Sequence, residues 1–203
     1  METVRLTTRS LQHCWSRLTD FSGRDRRELF WPFALLNLAG TFVAVAVVFA
    51  VLLSGSFEAI AAYAEANPDK VTVMRGPGSV SVRFDEAPPG LMPDMGDFLL
   101  PMLAIGLVFI ALHAAAVARR LHDLGRPGWL GAVPALLFCA AFAVMFELFG
   151  AADRSAEPGP GLFLGGFALN ALYNLSLIAL GLVLALKGEA APNRYGERPQ
   201  LPE

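Results

Sequence analysis

The sequence predicts an all-α membrane protein built on a four-transmembrane-helix bundle. Three observations carry that prediction. The chain has 203 residues, of which 55% are hydrophobic and only 17% charged, and its mean hydropathy is +0.50. A water-soluble domain of that size needs more charge to cover its surface. The apolar residues also run in long blocks, without helical or strand spacing, so lipid is the solvent they fit. Finally, lysine and arginine fall unevenly between the blocks. The length suits one membrane domain, residues 1–203.

A hydrocarbon core roughly 30 Å thick takes about 20 helical residues. Four stretches qualify: 31–53, 98–117, 128–149 and 162–186. The first carries no charge, the second only His113, and the third only Glu147 near its end. The fourth is uncharged and holds Asn170 and Asn174 near its midpoint. Helix is the required conformation, because a lone strand in lipid leaves its backbone polar groups unpaired. Pro134 is expected to kink the third span.

Orientation follows from the basic residues. Arg5, Arg9, Arg17, Arg24, Arg26 and Arg27 precede the first span. Arg119, Arg120 and Arg126 lie in the 118–127 loop, and Lys187, Arg194 and Arg198 in the 187–203 tail. Those twelve belong on one side, the cytoplasm. Lys70, Arg75, Arg83 and Arg154, in the 54–97 and 150–161 loops, belong on the other. Both termini are therefore expected in the cytoplasm. Trp31 and Trp129 open two spans at headgroup level, where an indole is favoured. Residues 1–30 lack the apolar core of a signal peptide.

Outside the spans, residues 4–21 read as an amphipathic helix, with Val4, Leu11, Trp15 and Leu18 on one stripe. It fits the plane of the membrane surface or a place against the protein's own loops. Residues 57–66 read as a short helix ended by Asn67-Pro68. Residues 71–73 and 80–84 alternate as strands around Gly76-Pro77-Gly78, a candidate β-hairpin. Such a hairpin is marginal alone, so it should lean on the membrane or on a second copy. Residues 87–90 read as linker, and Gly125 as the C-cap of the second span. Cys14 and Cys139 are too differently placed to form a disulfide.

Three motifs lie on the arginine-rich side. The first is Phe21-Ser22-Gly23-Arg24, with Arg27 and then Phe30-Trp31. The second is Arg119-Arg120-Leu121-His122-Asp123-Leu124-Gly125-Arg126, followed by Gly128-Trp129. The third is Pro192-Asn193-Arg194-Tyr195-Gly196 in the tail. Together and in this order they resemble the bacterial inner-membrane family named domain of unknown function 805. The resemblance covers the chain apart from the long outer loop. It implies a multi-pass protein of the bacterial inner (plasma) membrane, and it implies no established activity. One departure is visible: the family places an acid directly before the aromatic-Trp pair, where this chain has Leu29, with the acid at Glu28.

Chemically, the arginines admit two readings. Plain positive-inside anchoring needs no particular order. A shaped anion site, with Arg24, Arg27, Arg119, Arg120, Arg126 and Arg194 and further help from Arg26 and Arg198, would use guanidinium forks to hold an anionic phospholipid headgroup. His122 and Asp123 diverge on a helix and read as structural partners for loop carbonyls or for an arginine of the first motif. No metal-ligand spacing is present, and no cofactor is expected. The phosphate-binding glycine loop and the nucleophile elbow are absent, and the arginines are too few and interfacial for nucleic acid. Asn170 and Asn174, one turn apart beside Tyr173, need partners inside the membrane. They read as helix–helix glue, aided by Gly161, Gly165, Gly166 and Gly181, or as a polar path.

Three functions follow in order of preference. The first is a non-enzymatic membrane protein that binds anionic lipid or a protein partner. The second is a small transporter or channel, as a homo-oligomer. The third is a membrane enzyme acting on a lipid phosphate through His122 and Asp123.

Overall fold

The computed structural model describes residues 2–84, 95–153, 159–197 and 199. Along the chain come α1 (Glu2–Trp15), α2 (Arg27–Ala66), β1 (Val71–Gly76), β2 (Ser79–Phe84) and α3 (Met95–Asp123). A 3-10 turn (Gly128–Gly131), α4 (Ala132–Asp153) and α5 (Pro160–Ala185) follow. Among the described residues, four helices are long and apolar enough to cross a membrane: α2, α3, α4 with the turn before it, and α5. Phe42, Leu136 and Phe167 are 67%, 70% and 72% exposed. Such surface is stable against hydrocarbon and unfavourable against water. The expected linker at 87–90, Arg154 and Arg198 lie outside the described residues.

The chain forms two compact units, Met1–Phe42 with Leu103–Glu203, and Val43–Met102. The buried core of the first unit gathers where α2 begins and where α3 and α5 end. Cys14, Phe30, Phe33, Ala116, Leu121 and Leu184 form it, with Leu11, Leu18, Trp31 and Leu180 packed around them. The amphipathic helix is shorter than the expected 4–21, ending at Trp15, and α1 lies against this core. The Ser10 hydroxyl donates to the Leu29 carbonyl, and the half-exposed Trp15 meets Phe33 edge-on at 6.2 Å.

Two glycines let the spans of this unit approach. The Phe138 ring of α4 lies over Gly106 of α3, where a Cβ would come within 2.1 Å of the ring. Gly166 of α5 faces Val144 and Leu148 of α4. The other glycines read as helix glue, Gly161, Gly165 and Gly181, face open space. Pro134, expected to kink the third span, stands at the start of α4 and not in its interior. It is the third residue of α4, in the first turn, where a missing N–H costs nothing.

In the second unit, α2 continues to Ala66 as one helix of 40 residues. At 1.5 Å per residue it is about 60 Å long, roughly twice the hydrocarbon thickness. The segment 57–66 is therefore the end of α2 and not a separate helix. Ser54 and Ser56 do not break it, because their hydroxyls donate back to the Val51 and Leu52 carbonyls. Asn67 ends it, with both its amide and its side chain donating to the Tyr63 carbonyl. The hairpin forms as expected, with Val71 opposite Phe84 and Gly76 opposite Ser79. Pro77-Gly78 makes the turn, and Gly78 takes the positive φ of 79° that only glycine adopts freely. Phe84 leans edge-on against Tyr63 at 5.9 Å. The hairpin thus touches the chain's own α2.

Gly106→Ala should cost about 1–3 kcal/mol by overpacking against Phe138, read from denaturant unfolding in micelles. The same change in a Phe138→Ala background should be nearly neutral. Equal costs in both backgrounds would rule out this contact as the cause.

Candidate functional site

The last turn of α3 is where the three sequence motifs meet. A helix ends with four carbonyls that lack intrahelical partners, and here those of Leu121, His122 and Asp123 are used. Gly125 takes φ +67°, which lets the Gly125 amide donate to the His122 carbonyl and the Arg126 amide to that of Leu121. That is the Schellman cap expected at Gly125. The Asp123 carbonyl accepts from the Glu189 amide at 2.9 Å, and the Arg119 carbonyl accepts from the Asp25 amide at 3.1 Å. The Asn193 side chain donates to the His122 carbonyl at 3.0 Å. Both the N-terminal arm and the tail are thereby fastened to one helix end.

Side chains complete the junction. Arg24, Asp25, Arg119, Arg120 and Asp123 are all buried. Asp25 accepts from Arg119 Nε at 2.7 Å and lies 2.8 Å from His13. Arg119 also donates to the Arg17 carbonyl at 2.8 Å and to that of Asp20. Asp123 accepts from Arg24 at 3.0 Å on one oxygen and from Arg120 on the other. Arg24 donates further to the Glu189, Ala191 and Gly196 carbonyls. Arg120 reaches the end of α5, donating to Leu184 at 3.0 Å and to Leu186. A helix C-terminus is the negative end of its dipole, so a guanidinium suits it.

Burial opposes the charge on Asp25, but the hydrogen bond from His13 and the charge of Arg119 outweigh it and hold its carboxyl below the ordinary range. Burial, reinforced by the charge of Asp25, pushes the Cys14 thiol up to about 11. At neutral pH it is a protonated, unreactive group. The exposed Asp20 is held low by the Ser22 hydroxyl and amide, with Arg17 adding to them.

The motif residues divide into two sets. His122 stacks on Tyr195, ring centres 3.8 Å apart and nearly parallel, and its Nδ1 lies 3.1 Å from the Gly23 carbonyl. Asp123 holds Arg24. Both therefore take the structural contacts expected of them. Arg24, Arg119 and Arg120 spend their donors on internal carboxylates and carbonyls, except Arg119 Nη2, which is buried without a hydrogen-bond partner. Arg27, Arg126 and Arg194 are exposed. Arg194 lies over the Tyr195 ring and donates to the Gly125 carbonyl. Phe21 and Trp129 are 51% and 66% exposed.

Several members of the junction were not singled out in the sequence. Asp25 is the clearest, and its signal was a lone acid inside Arg24-Asp25-Arg26-Arg27. Gly188 is another: a Cβ there would lie 1.9 Å from the Asp123 carboxylate. Lys187 was read only as a topological charge.

Two voids flank α3. A polar cleft of about 290 Å³ is lined by Arg26, Arg27, Glu28, Arg120, Asp123, Lys187 and Gly188. An apolar cavity of about 470 Å³ lies between α3, α4 and α5, with Phe109, Val117, Trp129, Phe138, Tyr173 and Leu180 in its wall. They occupy different faces of α3: residues 120 and 123 line the first, residues 114, 118 and 122 the second. Asn170 and Asn174 line neither void and are exposed. Among the described residues no cluster of three or more His, Cys, Asp or Glu could hold a metal ion.

Four apolar spans joined by a polar junction of arginines and aspartates define a multi-pass membrane protein. A family model described as protein of unknown function (DUF805) matches residues 18–197, and the chain belongs to that family. No curated protein and no solved structure matches it.

Asp123→Asn should destabilise the protein by about 3–5 kcal/mol, because it leaves two buried guanidiniums without a counter-charge. Equilibrium unfolding in micelles measures this, and a loss under about 1 kcal/mol would mean the network is solvated. Asp25 has a folded-state pKa below its unfolded one. Its contribution is complete above the ordinary carboxylate value near 4 and fades as pH falls through the lower folded value. Asp25→Asn should therefore lose stability at pH 7 and show a flatter acid limb than wild type, read from unfolding between pH 7 and pH 2.

Proposed function

We propose that this chain is a non-catalytic protein of the bacterial inner membrane, with both termini in the cytoplasm, and that its polar cleft holds the headgroup of an anionic phospholipid. The cleft is the observation that carries the reading. It sits where α2 begins and α5 ends, which is headgroup depth for helices that cross a bilayer. Arg26 and Arg27 each use only Nε, on Glu28, at 3.2 Å. Their terminal nitrogens and the Lys187 ammonium have no hydrogen-bond partner among the described residues. Arginine forks match phosphate oxygens in pairs, and basic pockets between spans suit acidic lipid headgroups. Glu28 orients the two arginines while leaving the cleft a cationic surplus. Arg120 and Asp123 form its floor and are saturated by each other and by α5, so the six arginines read from sequence do not act as one site. Arg26, Arg27 and Lys187 bind, and the buried three hold the cleft open.

Native mass spectrometry after extraction in mild detergent tests this. Wild type should retain anionic phospholipid. The triple variant Arg26→Ala, Arg27→Ala, Lys187→Ala should lose most of it while remaining folded. Retention of the same lipid by the triple variant, or a wild type that carries none, would refute the headgroup site.

A further inference from the structure

The fourth span carries a polar feature that the cleft does not use. Asn170 and Asn174 lie close to the middle of α5, which runs from residue 160 to 185. Asn174 donates to the Asn170 carbonyl at 2.8 Å and to its side-chain oxygen at 3.1 Å. The two amides thus satisfy one another only in part. The Asn170 NH₂ group and the Asn174 side-chain oxygen have no partner among the described residues. Both side chains are exposed, and at that depth of a spanning helix the surroundings are hydrocarbon. Unpaired amides there are unfavourable, and membrane proteins direct such groups to protein.

Their neighbours define a face. Phe163, Phe167, Asn170, Asn174 and Gly181 recur at spacings of four, three, four and seven along α5, the seam of a left-handed helix pair. Phe163 and Phe167 are 65% and 72% exposed, and a Cβ on Gly181 would meet open space. The seam therefore has an amide layer at its centre, aromatic bulk at one end and a glycine at the other.

We propose that this face of α5 docks on the same face of a second copy, with the Asn170–Asn174 layer hydrogen-bonding across the two-fold axis. An amide offers a donor and an acceptor together, so the layer is complementary to itself, and a two-fold interface presents the same surface from each side. The partner must bring amides to the same depth, and an identical span does so. The groups left unpaired in one copy, an NH₂ and a carbonyl oxygen, are the pair that two copies complete. Interhelical amide bonds of this kind are a recognised adhesive between spans.

Single cysteines at Phe167 or at Leu172, which lies on the opposite exposed face, test the proposal in native membranes of a Cys14→Ala, Cys139→Ala background. Oxidation should cross-link two copies through position 167 and not through 172. Asn170→Leu with Asn174→Leu, which keeps the span apolar and inserted, should weaken the association constant about five- to thirty-fold in a dilution series. Asn170→Gln with Asn174→Gln should keep most of it. Cross-linking at 172 in preference to 167, or a leucine variant that dimerises as wild type does, would overturn the interface. A monomeric wild type that still retains anionic lipid would overturn it while leaving the headgroup site intact.

Discussion

Asp123 binds two arginines from different parts of the chain, Arg24 on one oxygen and Arg120 on the other, and the rest of the polar junction depends on that sharing. Buried guanidiniums far from water need full compensation, because one lost partner leaves a charge that neither solvent nor lipid can stabilise. Two carboxylates face three such groups here, so charge pairing alone is insufficient. Backbone carbonyls from the N-terminal arm, the end of α5 and the tail supply most of the remainder. Each carbonyl so recruited fixes the segment that carries it. The order of a long polar arm and a glycine- and proline-containing tail thus follows from the need to satisfy arginines on α3.

That arrangement also explains where the first unit keeps its core. Along the spans, side chains face lipid and gain little from burial against one another, since hydrocarbon tails are as apolar as leucine. Close packing there depends on glycines, as beneath Phe138 at Gly106. At the arginine-bearing end water competes, and there the hydrophobic effect works as in a soluble protein. Cys14, Phe30, Phe33, Leu121 and Leu184 accordingly cluster beside the ion pairs. Apolar core and ionic network shield one another: the former excludes water from the charges, and the latter fixes the helix ends around the former.

The cleft and the amide face share a logic. Arg26, Arg27 and Lys187 at one place, and Asn170 and Asn174 at another, are polar groups whose donors or acceptors exceed what their own chain supplies. In the two proposals above, phosphate would match the first surplus at headgroup depth, and the amides of a second copy would match the other at the midplane. The buried arginines show the contrast, since all their donors but Arg119 Nη2, which is itself enclosed, end on internal oxygens.

The sequence alone determined the four spans, because apolar block length is a property of the chain and the bilayer thickness is fixed. It also determined the hairpin, through alternation about Pro77-Gly78, the cap at Gly125, and the family, through three short motifs. It did not separate structural from available arginines. Arg120 and Arg27 are the same residue type in the same polar setting, and only the fold decides that one meets Asp123 and the end of α5 while the other meets solvent. The role of Asp25 and the need for glycine at 188 were hidden likewise, for their partners lie 94 and 65 positions away in the chain. The length of α2 escaped for a different reason: serines that look like a break satisfy themselves within the helix. Local pattern fixes elements, whereas pairing of buried charge is a long-range matter that tertiary structure settles, since a charge is stabilised by what stands within a few ångströms of it and not by what precedes it in sequence.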